Sequence, residues 1–577
     1  MTNRFQPVYN IAELCARRRL NNVVICPGSR SAPLVLAFTR HPEMKCRLIS
    51  DERSAAFIAL GISQNCKLPT VLICTSGTAA YNFAPAVAEA FFSQTPLLVL
   101  TADRPKEWVA QQDGQTIFQN NLYGHNVKQS FEIPQEYDHG DGQWMINRTL
   151  NEAISLSSAE PAGPVHINMP FREPLYPAAE VVTGYDDNVR VIEDHPAYPV
   201  LTEYQKTKIF EQWPSFKHVA IVAGQHDMSE SRIQAMTNLL EQHKLPVVAD
   251  ILSNLHGIDS IVSHADLFMD VCSSEIKESL RPDLLITFGN SIISKGLKQF
   301  LRTYPPNRHW HIQPFGPVAD TYQSITDVYR VNINTFLNYI SSLPSRNNFD
   351  GQKQENYNKL WEIEERRALR ILNNFFSQQE FAEFEFVKEF MNALPPFCNL
   401  HVANSMSVRY ANYIGLSATQ KDVSVYANRG TSGIDGCTST AVGHALVSHK
   451  PNFLITGDVA FFYDRNAFWH NYKLTNLRVV VLNNHGGIIF KLIDGPGALP
   501  EAEDFFVTEQ KLSAKRLCEE FNFEYLKLDS KRKLRNTLAD FIEPGEKTKI
   551  LEIESSSELN KNIFNELKLK IKKSYEL

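Results

Sequence analysis

The sequence predicts an α/β protein of three successive domains, each a parallel sheet covered by helices. Two observations carry this. At 577 residues the chain exceeds what one hydrophobic core organises, and its length points to roughly three or four domains. Along it, short β-branched runs alternate with helical patterns, as parallel strands joined by crossover helices do.

The first set of strands is predicted at Val23 to Cys26, Arg47 to Ser50, Thr70 to Cys74, Leu97 to Thr101 and Val165 to Asn168. An irregular, Pro-rich stretch from Pro170 to about Pro199 then reads as a linker. A second set follows at Val219 to Ala223, Val247 to Ile251, Leu284 to Phe288, His309 to Gln313 and Tyr329 to Asn332, ending near Leu343. The polar segment Ser345 to Asn356 marks its edge, and a charged helix is predicted around Leu360 to Phe376. The third set comprises Leu400 to Ala403, Val423 to Tyr426, Phe453 to Thr456, Val479 to Asn483, Tyr525 to Leu528 and Ile550 to Ile553. Domain limits are drawn at 1–185, 186–350 and 351–577. The sets share no residue period, so any repetition is of architecture.

Composition excludes several classes. Lys and Arg number 58 against 64 Asp and Glu, a net charge of -6 with no long basic block, so no nucleic-acid partner is expected. The basic run Lys568 to Lys573 reads as the solvated end of a terminal helix. Nine cysteines without a C-x-x-C pair or a histidine cluster argue against structural zinc and a disulfide framework. A polar start, Met1 to Asn10, and the lack of any apolar stretch of bilayer length predict a cytoplasmic protein with no membrane association.

The chemistry-bearing residues stand at predicted strand ends. Gly457-Asp458 closes the apolar run Asn452 to Thr456, and Asn483-Asn484 closes Arg478 to Leu482. Either pair alone reads most simply as turn residues. Together they are 26 positions apart (484 minus 458), room for one crossover helix, predicted over Arg465 to Leu474, that sets the two loops side by side. Ligands of open α/β sheets bind at such carboxyl ends, and a carboxylate with an amide oxygen suits a hard cation such as magnesium. Gly486 and Gly487 let the backbone approach a diphosphate. Near the start of the chain, Glu52 follows a strand and begins the helix predicted over Arg53 to Ile62, where alone it would be a helix-dipole carboxylate.

Longer motifs occur in a fixed order: Pro27-Gly28-Ser29-Arg30-Ser31, Asp51-Glu52-Arg53, Thr75-Ser76-Gly77-Thr78-Ala79, Thr101-Ala102-Asp103-Arg104-Pro105, Asn404-Ser405, Asn428-Arg429-Gly430, Ser432-Gly433-Ile434-Asp435-Gly436 and Asn484-His485-Gly486-Gly487-Ile488-Ile489-Phe490. This pattern resembles the 2-succinyl-5-enolpyruvyl-6-hydroxy-3-cyclohexene-1-carboxylate synthase family over nearly the whole chain, strongly in the first and third domains and weakly in the middle one. The resemblance implies a thiamine diphosphate-binding fold with pyrimidine, central and diphosphate domains. It also implies thiamine diphosphate with Mg2+ or Mn2+ as cofactors, and condensation of decarboxylated 2-oxoglutarate with isochorismate on the route to menaquinone or a related quinone.

By the same resemblance Glu52 is the carboxylate that activates the cofactor's pyrimidine ring. Asp458, Asn484 and the carbonyl of Gly486 hold the metal, with Gly457, Ile434 and Ile489 also at the cofactor. Ser29, Arg30, Arg104, Gln115 and Lys295 face isochorismate; Ser405, Arg409 and Arg429 face the part derived from 2-oxoglutarate; Ile489, Phe490 and Ile493 form an apolar wall. Arginine forks suit the three carboxylates involved, although any one of these arginines alone reads as a solvated surface charge. The family also implies a homo-oligomer, a dimer or tetramer with its active site between subunits. Two departures are Gly296, where some relatives carry a second basic residue, and His485, which interrupts what is often a run of asparagines. Two rivals are carried alongside: another thiamine diphosphate decarboxylase or an acetolactate synthase-like carboligase, which has little use for so many cations, and a non-catalytic relative, which has no reason to keep Glu52 and Asp458.

Overall fold

The computed structural model describes residues 5–137, 139–177, 184–344, 351–376, 380–493 and 495–576. They form three six-stranded sheets. The first contains β1 (Asn22–Ile25), β2 (Lys45–Leu48), β3 (Thr70–Cys74), β4 (Leu97–Asp103), β5 (Ser130–Glu132) and β6 (Pro164–Pro170), in the order β2-β1-β3-β4-β6-β5. The second contains β7 (Val219–Ala223), β8 (Val247–Ala249), β9 (Ile261–Val262), β10 (Leu284–Phe288), β11 (Arg308–Ile312) and β12 (Asp327–Tyr329), ordered β12-β11-β10-β7-β8-β9. The third contains β13 (Asn399–Val402), β14 (Ser424–Tyr426), β15 (Asn452–Gly457), β16 (Leu477–Asn483), β17 (Glu524–Leu528) and β18 (Lys549–Glu554), ordered β14-β13-β15-β16-β18-β17. Every pairing is parallel. The fold class is as the sequence predicts. Strands such as Thr70–Cys74 and Val219–Ala223 are buried along their whole length, as an apolar run covered by helices on both faces must be.

The first and third sheets have the same strand order, position for position, and they meet through equivalent helices. Glu52–Cys66 follows β2 and Cys437–Ala445 follows β14. A Cβ on Gly61 would lie 2.1 Å from the Thr440 carbonyl oxygen, and one on Gly443 would lie 2.2 Å from that of Ile58. Only residues without a side chain allow two backbones this close. One apolar core therefore runs from Val24 and Leu72 through this crossing to Leu454, Val479 and Ile550. A second core joins the central sheet's Leu285 and Val248 to the third sheet's Leu400 and Val480, through Tyr357 and Trp361 of the Gly351–Phe375 helix.

Three connecting segments differ from expectation, as do the unpredicted short strands β5 and β9. The crossover between β15 and β16 is not a helix over Arg465 to Leu474. It is a short helix, Asp458–Tyr463, starting at once from the strand, and a single 3-10 turn, Arg465–Phe468. Its polar residues bond outward or into local turns: Asn466 donates to Asp51 at 2.7 Å, and the Tyr472 amide donates to His470 Nδ1 at 3.1 Å. The charged helix is longer than predicted, so much of the polar segment to Asn356 is its first turns, while 345–350 lie outside the described residues. After Pro170, which ends β6, the Pro-rich stretch contains neither helix nor strand among its described residues, but part of it is a strap, with Arg17 donating to the Asp187 carbonyl at 2.7 Å and Val189 buried in a further core with Val23 and Ile25. All nine cysteines are free thiols, the basic run closes the Ser557–Lys573 helix, and among the described residues no helix is long and apolar enough to cross a membrane.

Candidate active site

At the carboxyl edge of the third sheet, β15 ends at Gly457, which caps the helix beginning with Asp458, and β16 ends at Asn483, followed by Asn484. Register brings the two ends level, because Gly457 pairs with Leu482. Asp458 is 1% exposed. Its carboxyl is pushed up to about 6, first by burial, while hydrogen bonds from Gln510 and from the backbone at Val459 and Gly486 pull it down. The Gln510 amide donates to Asp458 Oδ2 at 2.6 Å and to Asn483 Oδ1 at 3.0 Å.

Asn484 is buried, and its amide nitrogen donates to Glu383 Oε1 at 2.9 Å. Its amide oxygen is buried without a partner, a costly state unless something else occupies it. Gly486 is held so tightly that a Cβ would lie 2.9 Å from the Val507 carbonyl oxygen, and the Gly487 amide donates to that oxygen at 2.6 Å. A carboxylate, an orphaned amide oxygen and a backbone carbonyl form the hard-oxygen donor set that magnesium takes. Among the described residues no cluster of three His, Cys, Asp or Glu side chains offers a competing site. The residues present therefore fit a divalent cation and its diphosphate partner.

Cations gather beside this edge. Ser405, in a left-handed conformation with φ 73°, caps the Met406–Ile414 helix, and Arg409 donates to its carbonyl at 2.6 Å. Arg429 donates to Asn404 Oδ1 at 3.1 Å while its Nε is buried without a partner. Its guanidinium is held below the usual arginine range by burial and then by Arg409. Lys298, one turn along the Lys295–Thr303 helix, is likewise lowered by burial and by Arg429. Three predicted residues, Ser405, Arg409 and Arg429, thus come together with a third cation, Lys298, that the sequence reading missed, whereas Lys295 is exposed. Lys298 did have a signal: it lies three residues after Lys295, on the same helical face. Asn404 also pins the Ile434 segment, donating to the Gly433 carbonyl at 2.6 Å, and Ile434 is half-buried. Ile489 and Phe490 are half-buried on a four-residue helix, with Ile493 40% exposed at its end.

The carboxyl edge of the first sheet holds the other set. Asp51 caps the Glu52–Cys66 helix, so Glu52 is its first residue, beside the buried thiols of Cys26 and Cys74, to whose upward shift its charge contributes after burial. A Cβ on Gly28 would collide with Thr75, and the Thr75 and Ser76 hydroxyls are buried without partners. Arg30 donates to the Phe171 carbonyl at 3.1 Å and pairs at 3.0 Å with Glu173, an exposed carboxylate. Arg104 pairs with Asp113 at 3.1 Å and donates to the Gly114 carbonyl at 3.0 Å, which places it next to exposed Gln115. Asp103, which accepts from the Arg104 backbone amide at 2.7 Å, is raised to about 6, first by burial, while the Arg30 charge pulls it down. Ser29 is exposed in the β1 loop.

Within the chain, Asp51 bonds Asn466 and Arg53 donates to the Tyr463 carbonyl at 2.8 Å, at the far end of the short helix from Asp458. Sequence reasoning also missed Glu89. Fully buried, it accepts from the amides of Gly430 at 2.8 Å and Thr431 at 2.6 Å, tying the Arg429 loop to the first domain. His485, at φ 65°, lies 3.6 Å from Glu554, and its carbonyl accepts from the Gln510 amide.

Family models match the first and central domains. Residues 9–127 match "Thiamine pyrophosphate enzyme, N-terminal TPP binding domain", and residues 192–402 match "Middle domain of thiamine pyrophosphate". A Cytophaga hutchinsonii protein named 2-succinyl-5-enolpyruvyl-6-hydroxy-3-cyclohexene-1-carboxylate synthase is 44% identical over 572 residues, covering 99% of this chain and 100% of the relative. Proteins of the same name from Flavobacterium johnsoniae (36% identity, 94% of this chain and 95% of the relative) and Bacteroides fragilis (34%, 96% and 97%) also match over nearly their whole length. With likeness spanning all three sheets and a donor set that fits a metal-bound diphosphate, the chain belongs to the 2-succinyl-5-enolpyruvyl-6-hydroxy-3-cyclohexene-1-carboxylate synthase family of thiamine diphosphate enzymes.

Proposed function

We propose that this protein decarboxylates 2-oxoglutarate and joins the remaining four-carbon fragment to isochorismate, releasing carbon dioxide, in menaquinone biosynthesis. The observation that carries the reading is the cluster of Ser405, Arg409, Arg429 and Lys298 beside the Asp458–Asn484–Gly486 donors, because an anionic substrate needs fixed cations next to the cofactor. Thiamine diphosphate, when bound, supplies a nucleophilic carbon for a 2-oxo acid. Asp458, Asn484 and the Gly486 carbonyl would hold its magnesium, Gly457 and Ile489 would flank it, and Ile434 would fold it.

Glu52 would hold a proton against the ring nitrogen of its pyrimidine. Arg409 and Arg429 would bind the carboxylate of 2-oxoglutarate that survives decarboxylation. Ser29, Arg30, Arg104, Gln115 and Lys295 would bind isochorismate, with Glu173 yielding Arg30 to the substrate. Ile489, Phe490 and Ile493 would limit water. Exposed aromatics on the first domain, Tyr81, Trp108 and Phe118, and on the third, Tyr463, Trp469 and Phe505, support completion of the site by a second copy of the chain. The test is loss of isochorismate absorbance with thiamine diphosphate, magnesium and 2-oxoglutarate present, each omitted in turn. Turnover of pyruvate without need for isochorismate would defeat the reading. Ultracentrifugation of the active species tests the assembly, which a fully active monomer would exclude.

A further inference from the structure

We propose that Glu383 is a positioning residue for the metal: its carboxylate fixes the Asn484 side chain with the nitrogen turned inward and the oxygen left for the cation. This also explains why position 484 carries an amide and not a carboxylate. The proposal rests on the reading of Asp458, Asn484 and Gly486 as the metal donors.

Glu383 begins the Glu383–Ala393 helix and has no solvent exposure. Its Oε1 accepts from Asn484 Nδ2 at 2.9 Å and from Ser555 Oγ at 3.2 Å. The Glu383 backbone amide donates to Asn560 Oδ1 at 3.1 Å, and Asn560 Nδ2 donates to Ser555 Oγ at 2.8 Å. The carboxylate is therefore one corner of a closed ring that reaches from β18 to the C-terminal helix, and it cannot turn without breaking that ring.

An asparagine amide has a donating end and an accepting end. When ionised, the buried Glu383 carboxylate only accepts, so it holds the donating end and rejects the flipped amide, whose oxygen would face another oxygen; the bond from Asn484 itself favours that ionised form against burial. The orphaned Asn484 Oδ1 is what this selection leaves. An aspartate at 484 would be a more strongly charged metal donor, yet it has no hydrogen for Glu383 and would bury two carboxylates against each other. Partners of this kind behind metal ligands are worth about 10–100-fold in affinity.

The experiment uses the full-length enzyme with thiamine diphosphate. Metal affinity is read by titration calorimetry with Mg2+ and by Mn2+ electron paramagnetic resonance, with circular dichroism to check the fold. Glu383→Ala is expected to weaken binding about 10–100-fold. Glu383→Gln, which still offers Asn484 an oxygen, should stay close to wild type. Asn484→Asp should weaken binding beside Glu383, and adding Glu383→Gln should recover most of the loss, because the glutamine amide can then donate to the new carboxylate. Wild-type affinity in a folded Glu383→Ala protein would overturn the proposal. So would tighter binding by Asn484→Asp alone, and that comparison stands even if Glu383→Ala does not fold. Unchanged affinity in Asn484→Ala would instead sink the metal-donor reading beneath it.

Discussion

The first and third sheets share one strand order, and the helices after their edge strands β2 and β14 cross at a pair of glycines, yet their carboxyl edges hold different chemistry. The third edge presents buried Asp458 and Asn484, with the main chain of Gly486 packed close against Val507. The first presents Glu52 beside two buried thiols, with Arg30 near Asp103 and Arg104 paired with Asp113. One topology has put loops at equivalent places, and side-chain identity alone has given one edge a set of buried oxygen donors and the other a helix-starting carboxylate flanked by arginines. Architecture fixes where chemistry can happen, and residues decide which.

The largest expected effect separates the two edges outright. Glu52→Gln should lower kcat about 10²–10⁴-fold with thiamine diphosphate and metal still bound, whereas Asp458→Ala should abolish binding of both. Calorimetry beside steady-state assays reads the contrast, and cofactor loss in Glu52→Gln would erase it. Next, Arg429→Ala should raise KM for 2-oxoglutarate and Arg104→Ala KM for isochorismate, each about 10–100-fold, as expected for losing one charge-assisted contact of roughly 1.5–3 kcal/mol. A swapped pattern would reassign the edges.

Gly61→Ala should destabilise the folded protein by about 1–3 kcal/mol, as overpacking does, because the added methyl meets a carbonyl at 2.1 Å; chemical denaturation measures it. The smallest effect concerns Asp464, which accepts from the Ser439 amide and hydroxyl and is raised from 3.8 to about 7, chiefly by burial. The folded state therefore binds more protons than the unfolded chain between those values. This group's contribution makes stability fall as pH rises through that window, and Asp464→Asn should flatten the slope of denaturation midpoint against pH.

How far the sequence could be read follows from the range of each interaction. Long apolar strands such as Thr70–Cys74 and Leu284–Phe288 announced themselves to the residue, since both faces are covered. β5 and β9 did not: Ser130–Glu132 and Ile261–Val262 are too short to show a period. Asp458, Asn484 and Gly486 stood in local motifs, so their meeting was legible. Their supports were not, because Glu383 reaches its partner across 101 positions and Gln510 across 52. Only Glu383 left a trace, a carboxylate set among Phe381, Phe384 and Phe386. The Arg465 to Leu474 helix failed for a local reason, the competing bonds of Asn466 and His470.

The glycine crossing also constrains motion. With main chain lying directly on main chain at Gly61 and Gly443, the joint between the outer sheets has no flexible side chains to slide over one another, so it behaves as a weld and not a hinge. Any rearrangement at the site is then left to the segments at the sheet edges, over a frame joined main chain to main chain.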